Sequence, residues 1–270
     1  MKKRMARLTA VIAALLALLS ACSKEPKLPG PIAGKTPYEL YQAGYQKLGE
    51  ASSLEAEADV SFTFRMAVET VQQRKRRKFM RACPAGGGVD AAGYMELNNA
   101  DGATLTGRFW FDDGWAYYEM IEKDGDPVRF KTPMSAGEAA ETLGAPLLFV
   151  ESDVISSEMA WDAESGAATL TMLVGSGAVE GLIREYMDDD ELMSTVQVDE
   201  STVTLRVDSA GMLVYMDFKA IGRIAGGPGG GSAEIELHNE YRVTSANQTP
   251  VVTFPEEIYG FPEETRGGGG

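Results

Sequence analysis

The sequence predicts an α+β protein in which antiparallel strands form a sheet with one apolar face, covered by a few helices. Long stretches in which apolar and polar residues alternate indicate half-buried antiparallel strands. Two segments begin with the capping-box pattern of a helix N-terminus. The chain has 270 residues, of which 44% are hydrophobic, which is enough for one large domain or two small ones.

The charge balance is strongly acidic and excludes several function classes. The chain has 25 Lys and Arg residues against 40 Asp and Glu residues, a formal net charge of −15. Such a chain repels the phosphate backbone of nucleic acids, so we expect no nucleic-acid partner. One histidine and two cysteines disfavour a histidine-based triad, a histidine-rich metal site and a disulfide framework. We therefore expect neither a metal nor a cofactor.

The N-terminal segment has the pattern of an export signal. Lys2, Lys3, Arg4 and Arg7 form a positive block, and residues 8–21 carry no charge. This uncharged stretch is too short for a transmembrane helix, which needs about 20 apolar residues. It fits the apolar region of a cleaved signal peptide.

The end of this segment resembles the lipobox of bacterial lipoproteins. Residues 19–22 read Leu-Ser-Ala-Cys, with small residues before the cysteine. The resemblance implies cleavage between Ala21 and Cys22 and a thioether bond from Cys22 to diacylglycerol, with fatty acids such as palmitate supplying the acyl chains. The alternative is an ordinary signal peptide that has a cysteine near its cleavage site.

These features divide the chain into four parts. Residues 1–21 are the predicted lipoprotein signal peptide, and 22–36 are the lipidated cysteine with a flexible tether rich in Pro and Gly. Residues 37–261 form a single domain, and 262–270 a disordered Gly-rich tail. Because each buried methylene contributes about 0.8 kcal/mol, two or three acyl chains hold a protein firmly on a bilayer. We expect a monomer anchored through Cys22 on the extracytoplasmic face of the cell membrane.

The first part of the domain predicts a helix followed by strands. Thr36-Pro37-Tyr38-Glu39 has capping-box form, and apolar residues at helical spacing predict a helix over 37–50. Alternation over 59–69 indicates a strand with one apolar face. The basic run 74–78 that follows has two interpretations: a solvated turn at the start of a strand, or a contact with anionic lipid headgroups.

The rest of the domain continues the mixed pattern. Asp112-Asp113-Gly114 predicts a tight hairpin turn between two aromatic strands. A second capping box at 135–138 predicts a short helix to about residue 143, and an apolar stripe predicts another helix over 176–193. Further strands are predicted near 94–97, 104–111, 126–132, 155–162, 169–174, 201–207, 212–220 and 234–243, with a glycine-rich loop at 226–231.

The order of these segments resembles the LolA/LppX-like lipoproteins of bacteria. The resemblance lies in residues 19–22, 38–68, 109–118, 203–218 and the sequence Phe-Pro-Glu at 254–256. It implies a strongly curved antiparallel sheet, an unclosed half-barrel, with helices covering its concave face. It also implies a cavity between sheet and helices that holds acyl chains. A related branch of the family senses envelope stress by binding other proteins.

An adaptable apolar wall is the candidate binding site. The inward-facing candidates are large, flexible or aromatic side chains, and Met in particular adapts to floppy acyl chains. They are Phe62, Phe64, Met66, Met212, Met216 and Phe218. The alternative is that these residues form a closed core, as most buried apolar residues do.

The sequence carries no recognised catalytic motif, and we expect no enzymatic activity. It has no glycine-rich phosphate loop, nucleophile elbow or zinc-protease motif. The carboxylate pairs Asp112/Asp113 and Asp188/Asp189 are better explained by a turn and a helix end. The leading hypothesis is a lipid-binding lipoprotein. The alternatives are a non-catalytic module that binds another envelope protein and, less favoured, a solute-capture protein, which usually has two α/β lobes.

Overall fold

A computed structural model describes residues 28–66, 69–83, 88–99, 102–123, 125–143, 149–177, 179, 196–224, 232–248 and 252–264. The predicted signal peptide with Ala21 and Cys22, the glycine-rich loop and the last residues of the tail lie outside this part of the chain. So does all but the first turn of the helix predicted over 176–193.

Eleven antiparallel strands form one sheet in the order β6-β5-β4-β3-β2-β1-β11-β10-β9-β8-β7. The central pairing of β1 with β11 joins two runs of sequential hairpins. The predicted antiparallel sheet is thus confirmed, and it is open and curved, consistent with a half-barrel. The strands are β1 (Ser53–Arg65), β2 (Thr70–Ala82), β3 (Asp90–Asn98), β4 (Thr104–Asp112), β5 (Trp115–Glu122), β6 (Val128–Pro133), β7 (Val154–Asp162), β8 (Ala167–Val174), β9 (Val196–Asp208), β10 (Leu213–Ile224) and β11 (Ala233–Ala246).

Register irregularities interrupt three of the strand pairings. They lie between Glu55 and Ala56 where β1 pairs with β11, between Val154 and Ser156 in β7, and at two points in β10. An extra residue in one strand bends it and increases its local twist. These irregularities therefore favour curvature in the sheet.

Two of the helices in the described part of the chain begin with the predicted capping boxes. Helix α1 (Pro37–Gly49) begins at Thr36, whose hydroxyl accepts from the Glu39 amide while the Glu39 carboxylate accepts from the Thr36 amide. Helix α2 (Ala136–Thr142) begins after Ser135, which exchanges the same pair of bonds with Glu138. These bonds satisfy backbone donors that each helix start would leave unpaired.

Helix α1 packs against β7–β10 on the face that carries the main core. We call this the inner face; it includes Val207, Met216, Phe218 and Tyr241, all fully buried. The helix approaches closely because it has glycine at position 44. A Cβ there would lie 3.1 Å from the Leu213 backbone nitrogen.

The opposite, outer face is mostly polar, with an aromatic cluster over β3–β5. There Trp110 and Tyr117 pack with Ile258 and Phe261 of the C-terminal segment 252–264. The same segment pairs with β6, since the Lys131 amide donates to Pro262 and the Glu264 amide donates to Lys131. This segment buries Trp110 on the outer face, while Phe109 and Phe111 are buried on the inner face.

The basic run is the clearest difference between the expected and observed elements. Residues 74–78 lie in the middle of β2, a 13-residue strand paired with both β1 and β3, rather than in a turn. A charged strand of this kind gives no hydrophobic alternation, so its sequence resembles a solvated segment. The C-terminal segment 252–264 contains a 3-10 helix, Glu256–Gly260.

The contact between α1 and the sheet predicts a specific glycine requirement. Gly44→Val forces a branched side chain against Leu213, so we expect the free energy of unfolding to fall by about 1–3 kcal/mol. Gly49→Val is the matched control, because no atom lies within 4 Å of a Cβ at that position. Urea unfolding followed by circular dichroism measures both variants. Equal stability of the two variants would contradict this packing.

Candidate functional site

A cavity of about 490 Å³ lies on the inner face of β2–β6, beside the C-terminal end of α2. Residues that pair across an antiparallel sheet share a face, and the strand registers place these side chains together. Most of the lining is apolar. The lining residues are Lys75, Arg77, Met95, Leu97, Leu105, Phe109, Tyr118, Met120, Glu122, Val128, Phe130, Thr142 and Leu143.

Two glycines allow the aromatic and methionine side chains to lie flat against the sheet. A Cβ on Gly93 would come within 2.7 Å of the Phe109 ring, and one on Gly107 within 2.6 Å of the Met120 sulfur. Each large side chain thus occupies the space left by a glycine on the neighbouring strand. Because these side chains do not project from the sheet, they leave open volume above it.

The floor of the cavity continues onto the edge strand. The rings of Tyr118 and Phe130 stack with their centroids 5.0 Å apart and their planes inclined by 24°. Burial raises the pKa of Tyr118, an effect opposed by the Arg77 charge. The phenol is therefore neutral at physiological pH. Val128 is 61% exposed and forms part of the rim.

Two positive side chains enter the cavity from β2. Alternation along the strand turns Lys75 and Arg77 to the inner face, where they pair across the sheet with Leu97 and Met95. Arg77 Nη1 also donates to the Thr142 carbonyl at the end of α2. Glu122, on β5, is three strands from Lys75, which corresponds to about 14 Å. We call Lys75 and Arg77 the cationic wall. The cationic wall and the Glu122 carboxylate thus lie on opposite sides of the cavity.

The other half of the basic run points outward and forms ion pairs. Arg74 donates to both carboxylate oxygens of Asp59, at 2.8 and 2.5 Å, and Arg76 donates to the same group at 3.2 Å. Lys78 pairs with Glu57 at 2.9 Å. Burial alone would raise the pKa of Asp59, but the two arginines outweigh it and the pKa is lowered. The single basic run thus divides into an outer set, which pairs with Asp59 and Glu57, and an inner set that lines the cavity.

A buried asparagine lies next to this region on the inner face. Asn239 is 1% exposed, and neither its Nδ2 nor its Oδ1 has a hydrogen-bond partner within the described residues. It pairs with Val60, which pairs with Lys75, so it lies about 10 Å from the cationic wall. Unsatisfied buried amides cost free energy, which makes this polar group unusual in an apolar core.

The six residues predicted to line a cavity lie elsewhere on the sheet. Phe62, Met216 and Phe218 are buried in the main core, and Phe64 is partly buried on the same face. Met66 and Met212 lie next to strand ends. None of them lines the cavity on β2–β6. Their contact with a ligand stays a prediction, as does lipidation of Cys22 after cleavage at Ala21.

The structure also places the predicted hairpin turn at 112–114 and the histidine of the chain, His238. Asp113 and Gly114 have φ angles of 46° and 79°, as the predicted hairpin turn requires. Asp112 accepts a 2.8 Å hydrogen bond from the Tyr259 hydroxyl. His238 lies on the outer face, where its Nε2 is 2.7 Å from Oδ1 of Asp217.

Within the described ranges, no cluster of three or more metal-binding side chains occurs. None of the helices described has the length and hydropathy needed to cross a membrane.

The sequence comparisons found no match, while several solved structures resemble the fold at low sequence identity. No family model matches the chain, and no curated protein matches it significantly. Three crystal structures align with most of the chain. The ywiB protein of Bacillus subtilis covers 75% of this chain and 100% of its own, at 8% identity and a TM-score of 0.19.

Two further structures align over a similar share of the chain. A β-barrel-like protein of a domain of unknown function from Brucella abortus covers 72% of this chain and 100% of its own, at 12% identity and a TM-score of 0.19. A putative outer membrane lipoprotein-sorting protein domain from Vibrio parahaemolyticus covers 79% and 92%, at 12% identity and a TM-score of 0.23. With TM-scores this far below 0.5, these similarities carry no argument about function.

The lowered pKa of Asp59 predicts a pH-dependent contribution to stability. A depressed carboxyl pKa stabilises the fold above the unfolded-state value, and the contribution is lost as pH falls through the folded-state pKa. Asp59→Asn should therefore lower the free energy of unfolding by about 1 kcal/mol at pH 7. The difference from the parent protein should shrink toward zero as the pH falls below about 4.

Chemical denaturation of both proteins across this pH range measures the difference. Asp126→Asn is the control, because Asp126 is exposed in the loop before β6. A difference that stays constant down to pH 2 would contradict the assignment of the ion pair.

Proposed function

We propose that the protein binds a lipid or another hydrophobic ligand in the cavity on the inner face of β2–β6. The observation that carries this proposal is the cavity itself, which has about 490 Å³ of open space and a mostly apolar lining. Ligand pockets typically measure about 300–1,000 Å³ and combine apolar walls with a few polar groups. The cavity matches that description in size and composition.

The proposed architecture is a curved sheet whose helices cover the concave face incompletely. Helix α1 packs on the inner face over β7–β10, while Thr142 at the end of α2 and Leu143 just after it lie at the edge of the cavity. The Tyr241 hydroxyl donates to the Leu143 carbonyl at 3.4 Å, and Arg77 donates to Thr142. These two bonds hold the end of α2 over the sheet, and the space between them and β6 is the ligand site.

Membrane attachment is the second part of the proposal. The lipobox-like residues 19–22 would place the binding domain on the extracytoplasmic face of the membrane, on the tether 22–36. A water-facing domain held close to a bilayer has direct access to lipids. The arrangement fits a binding protein and requires no catalytic group.

Substitution of the predicted lipidated cysteine tests the attachment. Cys22→Ser should leave the signal segment uncleaved and abolish incorporation of radioactive palmitate, because a serine oxygen cannot form the thioether. Electrophoresis of labelled cells reads out both changes. Palmitate labelling that persists in Cys22→Ser would contradict attachment at Cys22. Cleavage of the parent chain without any label would favour the ordinary signal peptide.

Blocking the rim of the cavity tests ligand binding. Val128→Trp places a large side chain at the exposed rim, so we expect the affinity for the uncharged fluorescent probe N-phenyl-1-naphthylamine to fall at least 10-fold. Ile121→Trp is the matched control, since Ile121 is exposed on the neighbouring strand and points to the outer face. It should bind the probe as the parent protein does.

Two outcomes of this titration would contradict the proposal. A parent protein that does not bind the probe would contradict the proposed function. Equal loss of binding in both tryptophan variants would place the ligand outside this cavity. Native mass spectrometry of the purified protein adds an independent readout, because a bound acyl species appears as a discrete mass increase.

A further inference from the structure

We infer that the cavity selects an anionic amphiphile: an acyl chain that ends in a carboxylate or phosphate group, bound with that group against Lys75 and Arg77. This inference rests on the proposed function and specifies the class of ligand. Its basis is the placement of two cations in an otherwise apolar cavity. The chain as a whole is acidic, with a net charge of −15, so the local positive wall differs in sign from the rest of the protein.

The cavity has a charged end at β2 and an apolar end over β4–β6. Lys75 and Arg77 are two residues apart on β2, which corresponds to about 7 Å, and both face inward. From this wall the lining runs across Met95, Gly107 and Met120 toward the rim residue Val128. A ligand lying along this row has its head at β2 and its tail over β4–β6.

The charges favour an anion over a neutral head group. A cation at the wall of an apolar space is poorly solvated, and an ionised acceptor there forms a stronger hydrogen bond than a neutral one. Among the described residues, the charged groups that line the cavity are Lys75, Arg77 and Glu122, two positive and one negative. Because the carboxylate lies about 14 Å from Lys75 on the opposite wall, it repels the anionic end of a ligand that binds in the reverse orientation.

The inner and outer halves of the basic run provide a matched set of variants. Lys75→Gln removes a charge from the cavity, while Lys78→Gln removes the same charge from the outer face of the same strand, where it pairs with Glu57. Glu122→Gln removes the opposing charge from the cavity. The three variants therefore change the charge by one unit each, at different positions.

The experiment compares fluorescent cis-parinaric acid with its uncharged methyl ester at pH 8 and low salt. The parent protein should bind the acid at least 10-fold more tightly than the ester. Lys75→Gln should reduce that preference at least threefold, Lys78→Gln should leave it unchanged, and Glu122→Gln should increase it. Raising the salt concentration should weaken acid binding more than ester binding.

Competition then distinguishes the two sources of the anionic group. Displacement of cis-parinaric acid by lysophosphatidic acid, but not by monoacylglycerol, assigns the site to a phosphate head group. Displacement by palmitate alone assigns it to a free fatty acid. Equal binding of acid and ester would overturn the charge selection while leaving the proposed function intact. Binding of neither probe would overturn both.

Discussion

Alternation along β2 decides which positive charges reach the cavity. The strand is paired along its length, with Lys75 opposite Val60 on one side and Leu97 on the other. Because side chains in a strand alternate between faces, a register shift of one residue would exchange the inner and outer sets. The ion pairs of Asp59 and Glu57 with outward residues hold the register that places Lys75 and Arg77 inside.

The two halves of the inner face differ in how completely they are filled. Over β7–β10, α1 packs closely because Gly44 lies against Leu213, and the side chains beneath it are fully buried. Over β2–β6, Gly93 and Gly107 let large side chains lie flat, and the described part of the chain supplies only the end of α2 above them. The open volume described above therefore lies over β2–β6, in the half of the sheet that α1 does not cover.

Local signals predicted much of the fold. The cap at Thr36, the turn at Asp113-Gly114 and the alternation around Phe62 depend on neighbouring residues, and each was confirmed. The extent of strand β2 was missed because the middle of the strand is charged. Assigning alternate residues of the basic run to opposite faces of a strand would have separated the inner set from the outer set. The cavity could not be located from sequence, since Phe218 and Met120 both alternate inward and only tertiary packing determines which one contacts open space.

Methyl NMR of the methionines tests the central claim most directly, because these side chains sample both halves of the inner face. Met95 and Met120 line the cavity, whereas Met216 is fully buried in the core beneath α1. Titration of the ¹³C-methyl-labelled protein with palmitate should shift the Met95 and Met120 signals, produce contacts from both to the acyl chain, and leave Met216 unchanged. Ligand contacts to Met216 with no change at Met95 and Met120 would contradict the account.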